Sequence, residues 1–399
     1  MRRLACTVAA TLAELLAAGA HAVPPLPPPY AGAYQPQGVD EIGMWREMDE
    51  EERVLATSPL VIRDEALTGY ITRVLCSTVG DDRCKATRIY VIREPSFNAS
   101  MAPNGTMRVY SGLLLRMRNE AELAAILGHE FGHFESRHSL QQFRSRRSGT
   151  DLLAWTAVLA SMAAPYGGMQ TYRDMQLQVY GTLYRFGRDQ EREADLLGLA
   201  YLNRSDYRPQ AAAQVWENFM GEMSASASAK GLSKPNFKKI AFTASHPPEG
   251  ERASYLAELA APEGAGRDDG VARYRAALAT WTPRFLEDQI KLNDFGGSDY
   301  LIQALAQDGW TAQLWFSRGE LYRSRGHPRD LIQAADFYAN AIKADPDFAE
   351  AYRGLGLSKL KTGVRAEAWE GLRSYLRLKP DASDATMIKM MLPKETAHQ

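Results

Sequence analysis

The sequence predicts an α+β fold: a mostly helical domain with a small β-sheet, followed by an all-helical array. Three observations carry that prediction. Residues 88–110 hold short apolar runs around the turn signal Pro103-Asn104-Gly105. From Asn119 the apolar residues recur at helical spacing, and from about Arg267 to the end every segment has a helical pattern. Pro346 and Pro380 stand 34 residues apart, the period of a two-helix repeat.

Composition narrows the function class. The chain has 399 residues, 47 basic and 48 acidic, for a formal net charge of −1. No basic field argues for nucleic acid. At 45% hydrophobic and 24% charged residues it is neither largely disordered nor a polytopic membrane protein. Three cysteines exclude a four-Cys metal site and a disulfide-dense miniature scaffold.

In chain order, residues 1–22 read as a cleavable secretory signal: Arg2 and Arg3, an apolar stretch, then Ala20-His21-Ala22. Residues 23–40 read as a Pro-rich spacer, extended and solvated from Val23 to Pro29. Export would leave Cys76 and Cys84 in oxidising surroundings, flanking Gly80-Asp81-Asp82, so a disulfide is expected there; two free buried thiols are the alternative. Residues 41–75 are helical in pattern, and the charge run at 47–53 reads as a solvated helix face. Strands are expected at 88–93, 98–102 and 106–110. Asn119 and Glu122 form a capping-box pattern for the next helix. Residues 152–164 are apolar but only 13 long, too short to span a bilayer. They read as a buried helix, with a membrane-touching or cleft-covering segment as the alternative. Helices are expected from near Asp189 past Leu202 and from Pro209, and the SASASAK run at 224–230 reads as a mobile loop.

The chemistry concentrates in His129-Glu130-Phe131-Gly132-His133, an H-E-x-x-H pattern inside a predicted helix. Residues four apart share a helix face, so both imidazoles can reach one zinc ion. Glu130 is then placed to act as general base toward an attacking water. Gly132 weakens the helix and implies close approach by another element. A catalytic zinc needs a third ligand, and Glu191 in Glu191-Arg192-Glu193-Ala194-Asp195 is the candidate, 58 residues after His133. Asp195, one turn on, can accept the second N–H of a ligand imidazole. Glu193 projects elsewhere and is set aside. His246, held before Pro247 and Pro248, can donate to an oxyanion or close onto the metal, and Arg252 can orient a carboxylate or stabilise the oxyanion. A turn histidine without a role remains open for His246. His138, five residues past His133, falls on the wrong face for a shared metal and reads as structural or exposed.

Together these residues resemble the HtpX/BepA-like zinc metallopeptidases, relatives of the CAAX prenyl endopeptidases, over about residues 65–255. The family's N-A-x-x-x-P-x-G pattern is matched from Asn98 to Gly105, its H-E-x-x-H at His129 to His133, its E-x-x-A-D at Glu191 to Asp195, and its histidine–proline element from Ser245 to Arg252. The resemblance implies a gluzincin fold binding one zinc per chain. It also implies a sheet whose edge strand (Asn98, Ala99, Ser100, Met101) takes extended substrate, and a regulatory role for His246. Members of the HtpX branch carry transmembrane helices, and this chain shows none after the signal. It looks closer to the periplasmic BepA-like branch, which adds tetratricopeptide repeats.

That pairing is visible in the C-terminal spacing. Ala334, Tyr338 and Ala341 match Ala368, Leu372 and Tyr375 at the 34-residue period, while Trp315, Gly319 and Tyr322 match Tyr352, Gly356 and Lys359 at 37. The expected organisation is signal 1–22, spacer 23–40, metallopeptidase domain 41–266, linking or capping helices 267–310 and tetratricopeptide array 311–399. The expected function is an exported, periplasmic zinc endopeptidase. It would cut unfolded or misassembled envelope proteins, its repeats recruiting clients or a partner, with peripheral membrane contact left open and no nucleic acid. The rival is a zinc-containing chaperone or scaffold whose repeats do the main work and whose site is gated by His246.

Overall fold

The computed structural model describes residues 27–31, 34–147, 187–237, 249–262 and 267–393. The expected signal, the apolar segment at 152–164 and His246 lie outside the described residues.

In chain order the elements are helices α1 (Gly38–Thr57), α2 (Glu65–Val79) and α3 (Asp81–Cys84), then strands β1 (Arg88–Ile92), β2 (Ala99–Met101) and β3 (Thr106–Tyr110). Next come α4 (Ser111–Arg116), α5 (Glu120–Glu135), α6 (His138–Arg147), α7 (Arg188–Arg204), α8 (Ala211–Ala229) and α9 (Glu249–Leu259). The remainder is α10 (Val271–Leu278), α11 (Thr282–Lys291), α12 (Phe295–Leu305), α13 (Ala312–Arg325), α14 (Pro328–Ala344), α15 (Ala349–Lys361), α16 (Arg365–Leu378) and α17 (Ala385–Met391). The described residues are thus mostly helical with one small sheet.

The sheet has the order β1-β3-β2, with β1 parallel and β2 antiparallel to β3. The β2–β3 hairpin turns at Gly105, whose φ of +89° suits glycine; a Cβ there would meet the Ala86 carbonyl oxygen at 2.1 Å. Strand alternation sends Met107 and Val109 into the core shared with α2 and α5. Arg108, between them, is buried against Glu51 of α1 at 3.2 Å.

That last contact narrows the expectation of a solvated charge run at 47–53: Glu47, Asp49, Glu50 and Arg53 are exposed, while Glu51 and Glu52 are half-buried against the sheet. Glu52 takes two hydrogen bonds from Arg88, at 2.6 and 2.5 Å, and Asp49 accepts from Asn104 at 2.9 Å. The outer face of the sheet presents arginines, and α1 supplies their counter-charges. The helical pattern at 41–75 is also broken in two. Val61 bridges to Ile92, and Asp64 caps α2 through the N–H groups of Ala66 and Leu67.

The described part of the expected spacer has no helix or strand before Gly38, but its tyrosines are anchored: Tyr30 donates to Glu135 at 2.7 Å, and Tyr34 hydrogen-bonds Glu41. Its aromatic rings have apolar surface to cover, so they dock. The supposed loop at 224–230 is the end of α8. Its small residues let α12 come close: a Cβ on Gly296 would lie 2.3 Å from the Ala225 carbonyl oxygen, and Ser226 donates to Asp294 at 2.8 Å. Cys76 and Cys84 are disulfide-bonded across a separation of 8 residues, tying α2 to α3.

The core does not end with the sheet and its helices. Tyr274, Phe285, Leu286, Leu301 and Leu314, from α10 to α13, sit in the same buried cluster as Leu75, Met107 and Phe131. Beyond it, α13 packs on α14 and α15 on α16. Gly319 is pressed against the Tyr338 ring in the first pair, as Gly356 is against Leu372 in the second. Among the described residues no helix is long and apolar enough to cross a membrane.

Candidate metal centre

Helix α5 carries the H-E-x-x-H pattern. It starts at Asn119, whose side chain accepts from the Glu122 N–H at 2.8 Å; the Glu122 carboxylate reaches one residue further back, to the Arg118 N–H at 2.8 Å. Nearly every residue of α5 is buried, as expected of a helix apolar all round. Helix α7 crosses it at glycines. A Cβ on Gly198 would lie 2.8 Å from the His129 backbone nitrogen, and one on Gly132 would lie 3.1 Å from the Ala194 carbonyl oxygen. This close crossing delivers Glu191, in the first turn of α7, to the histidines.

The Nε2 atoms of His129 and His133 are 3.1 Å apart. The Glu191 carboxylate oxygens lie 3.7 Å from the first and 3.6 Å from the second. Among the described residues, His129, His133 and Glu191 form a group whose donor atoms all lie within 4.8 Å of one another, and all three residues are buried. Two imidazoles and a carboxylate are a zinc donor set that leaves a position open for substrate. The electrostatics suit a cation too. Burial first, then repulsion from Glu191, raises the Glu130 carboxyl pKa well above the usual range, with Arg252 opposing. A divalent ion between these carboxylates would relieve that repulsion. Glu130 is the one residue of the five-residue pattern with partial exposure.

Asp195 lies one turn along α7 and accepts from His129 Nδ1 at 2.8 Å. Arg252, from α9, donates to both its oxygens at 2.8 and 2.5 Å, and the Tyr255 hydroxyl donates to it as well. Burial works against the charge on Asp195, but Arg252 and His129 outweigh it and hold the carboxyl well below the usual carboxylate range. Arg252 is 1% exposed, lies 3.7 Å from Glu191 and stacks 3.7 Å above the Trp216 ring. Its polar atoms are engaged with the two carboxylates, so of the two roles open to it the geometry is that of carboxylate orientation, not oxyanion binding.

Residues 65–260 match the model of peptidase family M48. The match covers just under half of the chain. Similar proteins include the mitochondrial metalloendopeptidase OMA1 of Schizosaccharomyces pombe, 31% identical over 181 residues, 43% of this chain and 52% of the relative. The beta-barrel assembly-enhancing protease of Escherichia coli K12 is 27% identical over 175 residues, 43% of this chain and 36% of the relative. Its Yersinia pestis counterpart is 31% identical over 162 residues, 39% of this chain and 33% of the relative. The chain therefore spans about half, or less, of the length of the curated relatives it matches.

Within the segment that matches the M48 model, β2 is one edge of the sheet among the described residues. Ala99, Ser100 and Met101 pair with Val109, Arg108 and Met107, and the Asn98 carbonyl accepts from the Tyr110 N–H at 3.3 Å. Two residues set aside on sequence grounds stand beside the ligands: His138, buried behind His133, and Glu193, more than half exposed behind His138. His138 is 0% exposed, with Nδ1 2.8 Å from Nδ1 of His133 and Nε2 3.3 Å from Glu193. His138 stays outside the ligand group, in keeping with a structural role, but the turn after α5 brings it behind His133. Helix α5 ends at Glu135, and Arg137 takes a φ of 53°, which turns the chain back. The Ser136-Arg137 stretch after the second histidine is the only signal in the sequence, and no capping pattern marks it.

Proposed function

We propose that the protein is a zinc-dependent metalloendopeptidase of the cell envelope that hydrolyses unfolded or misassembled envelope proteins. The observation that carries this is the convergence of His129 Nε2, His133 Nε2 and the Glu191 carboxylate beside a partly exposed Glu130. When bound, zinc supplies Lewis-acid polarisation of the scissile carbonyl and of the attacking water. Glu130 would take the proton from that water and return it to the leaving amine. Asp195 holds His129 with its proton on Nδ1, leaving Nε2 free for the metal. Arg252 and Tyr255 keep Asp195 in place. Among the described residues the outer side of β2 is unpaired, and its main-chain groups would take an extended peptide, so cleavage would follow backbone accessibility more than side-chain identity.

The envelope assignment draws on the relatives named as beta-barrel assembly-enhancing proteases, together with the signal read in the sequence. We further propose that the C-terminal helix pairs are tetratricopeptide repeats that recruit clients. A groove of about 750 Å³, between α11, α13 and the start of α15, supports this; it is lined by Trp281, Arg284, Lys291, Phe316, Glu320 and Glu350. His246 is proposed to gate the metal.

Residues 23–399, purified as wild type, Glu130→Gln and His246→Ala, should be assayed for zinc content and for digestion of an unfolded protein. Cleavage by wild type that disappears in Glu130→Gln with zinc retained is the expected result. Equal cleavage by Glu130→Gln would overturn the proposal. Zinc bound without cleavage in any form, together with retained binding of unfolded protein, would favour the scaffold reading.

A further inference from the structure

The two imidazoles of the metal centre are supported in different ways. His129 rests on a carboxylate, Asp195. His133 rests on a second imidazole: its Nδ1 is 2.8 Å from Nδ1 of His138, whose Nε2 is 3.3 Å from Oε2 of Glu193. The other oxygen of Glu193 accepts from the Ser136 hydroxyl at 2.8 Å. Donor and acceptor chemistry sets the direction of this chain. Nε2 of His133 faces Nε2 of His129 and the Glu191 carboxylate, so as a ligand it must present a lone pair there. A neutral imidazole then carries its proton on Nδ1 and donates it. Nδ1 of His138 must accept, which puts the His138 proton on Nε2, toward Glu193. That single assignment satisfies both contacts.

We propose that His138, oriented by Glu193, is the positioning residue that fixes the tautomer and ring plane of His133 as a metal ligand. The inference rests on the zinc-peptidase reading above. The fold is built for it. Arg137, with its φ of 53°, folds the start of α6 back so that a residue five positions on meets the ligand it follows. Burial excludes water that would otherwise compete for the His133 N–H. The two ligands are therefore unequal. His129 gives its N–H to an anion, which makes its Nε2 the more electron-rich donor, while His133 gives its N–H to a neutral ring and gains mainly orientation.

The test is zinc affinity, measured by chelator competition on the purified chain, with thermal unfolding of the metal-free protein as the check on folding. His138→Phe keeps a ring but removes the acceptor. His138→Asn keeps an acceptor oxygen near the position of Nδ1. His138→Phe is expected to weaken zinc binding about 10- to 100-fold at an unchanged metal-free Tm. His138→Asn should recover most of that loss, and Glu193→Ala should show a smaller loss in the same direction. Wild-type affinity in His138→Phe would overturn the inference, as would equal losses in the Phe and Asn variants. Should His138→Phe not fold, unchanged affinity in Glu193→Ala overturns it. A wild type with no affinity for zinc sinks the metal reading itself, and this inference with it; the other outcomes touch the inference alone.

Discussion

Asp195 binds three partners at once, taking hydrogen bonds from His129, Arg252 and Tyr255 in a buried site. Asp195→Ala would leave the Arg252 guanidinium buried with its main counter-charge gone, at a cost of about 3–5 kcal/mol. Urea unfolding should show that loss, and zinc content should fall with it; a variant as stable as wild type would mean that Arg252 finds other compensation. Glu122 makes a pH prediction. Burial pushes its carboxyl up to about 7, although Arg118 and Asn218 donate to it. A carboxyl whose folded pKa is raised binds more protons folded than unfolded, so its contribution to stability falls as pH rises from the unfolded value near about 4.3 to about 7. Glu122→Gln should flatten the stability profile in that window by roughly 3–4 kcal/mol, read from urea midpoints across pH. An unchanged slope would show that other groups set the profile.

Among the elements, the crossing of α5 and α7 decides whether three ligands meet. Gly198→Ala would force a methyl to within 2.8 Å of the His129 backbone nitrogen, and backbone cannot rotate away. The expected cost is about 1–3 kcal/mol, accompanied by lowered zinc occupancy because Glu191 rides on the displaced helix. Normal zinc content with full stability would show that α7 can slide without penalty. The Cys76–Cys84 bond closes a short loop between α2 and α3. Chain-entropy reasoning for a loop this short gives about 2.5 kcal/mol, so Cys76→Ser with Cys84→Ser should lower the urea midpoint by a corresponding amount and make it insensitive to reductant. The H-E-x-x-H pair and the Glu191–Asp195 pair were legible because each lies inside one helix, where spacing alone determines direction. The His133–His138 contact was not, because it depends on a left-handed residue at a helix end.

For the whole molecule, the continuity of the core matters most. Phe285 and Leu286 of α11 are buried with residues of the sheet and of α5. Polar ties reinforce that seam: Arg93 with Asp288, Arg116 with Gln289, and Trp281 with Asp64. The M48 segment and the helices after residue 267 should therefore unfold together. Phe285→Ala is expected to destabilise by about 3–5 kcal/mol, moving one cooperative transition monitored both by zinc release and by far-UV signal. Two separated transitions would show that the helices after residue 267 fold on their own. The acidic residues of α1 teach the same lesson in reverse. Their partners Arg88 and Arg108 lie on strands and Asn104 in the hairpin turn, far along the chain, so one side of a largely solvated charge run is part of an interface.

What can be read from residue order alone is whatever repeats with the period of a single element. That covers the mostly helical α+β class, the hairpin at Gly105, the paired histidines, the two carboxylates of α7 and the repeated helix pairs at the C-terminus. What depends on packing between distant segments belongs to the tertiary structure: the docking of the N-terminal strap, the helical end of α8 under α12, the anchoring of Arg252 on Asp195, and the recruitment of His138 behind His133. The physical reason is the range of the forces involved. Helix and strand periodicity is encoded within a few residues, whereas burial and charge pairing act between surfaces that meet only once the chain has folded.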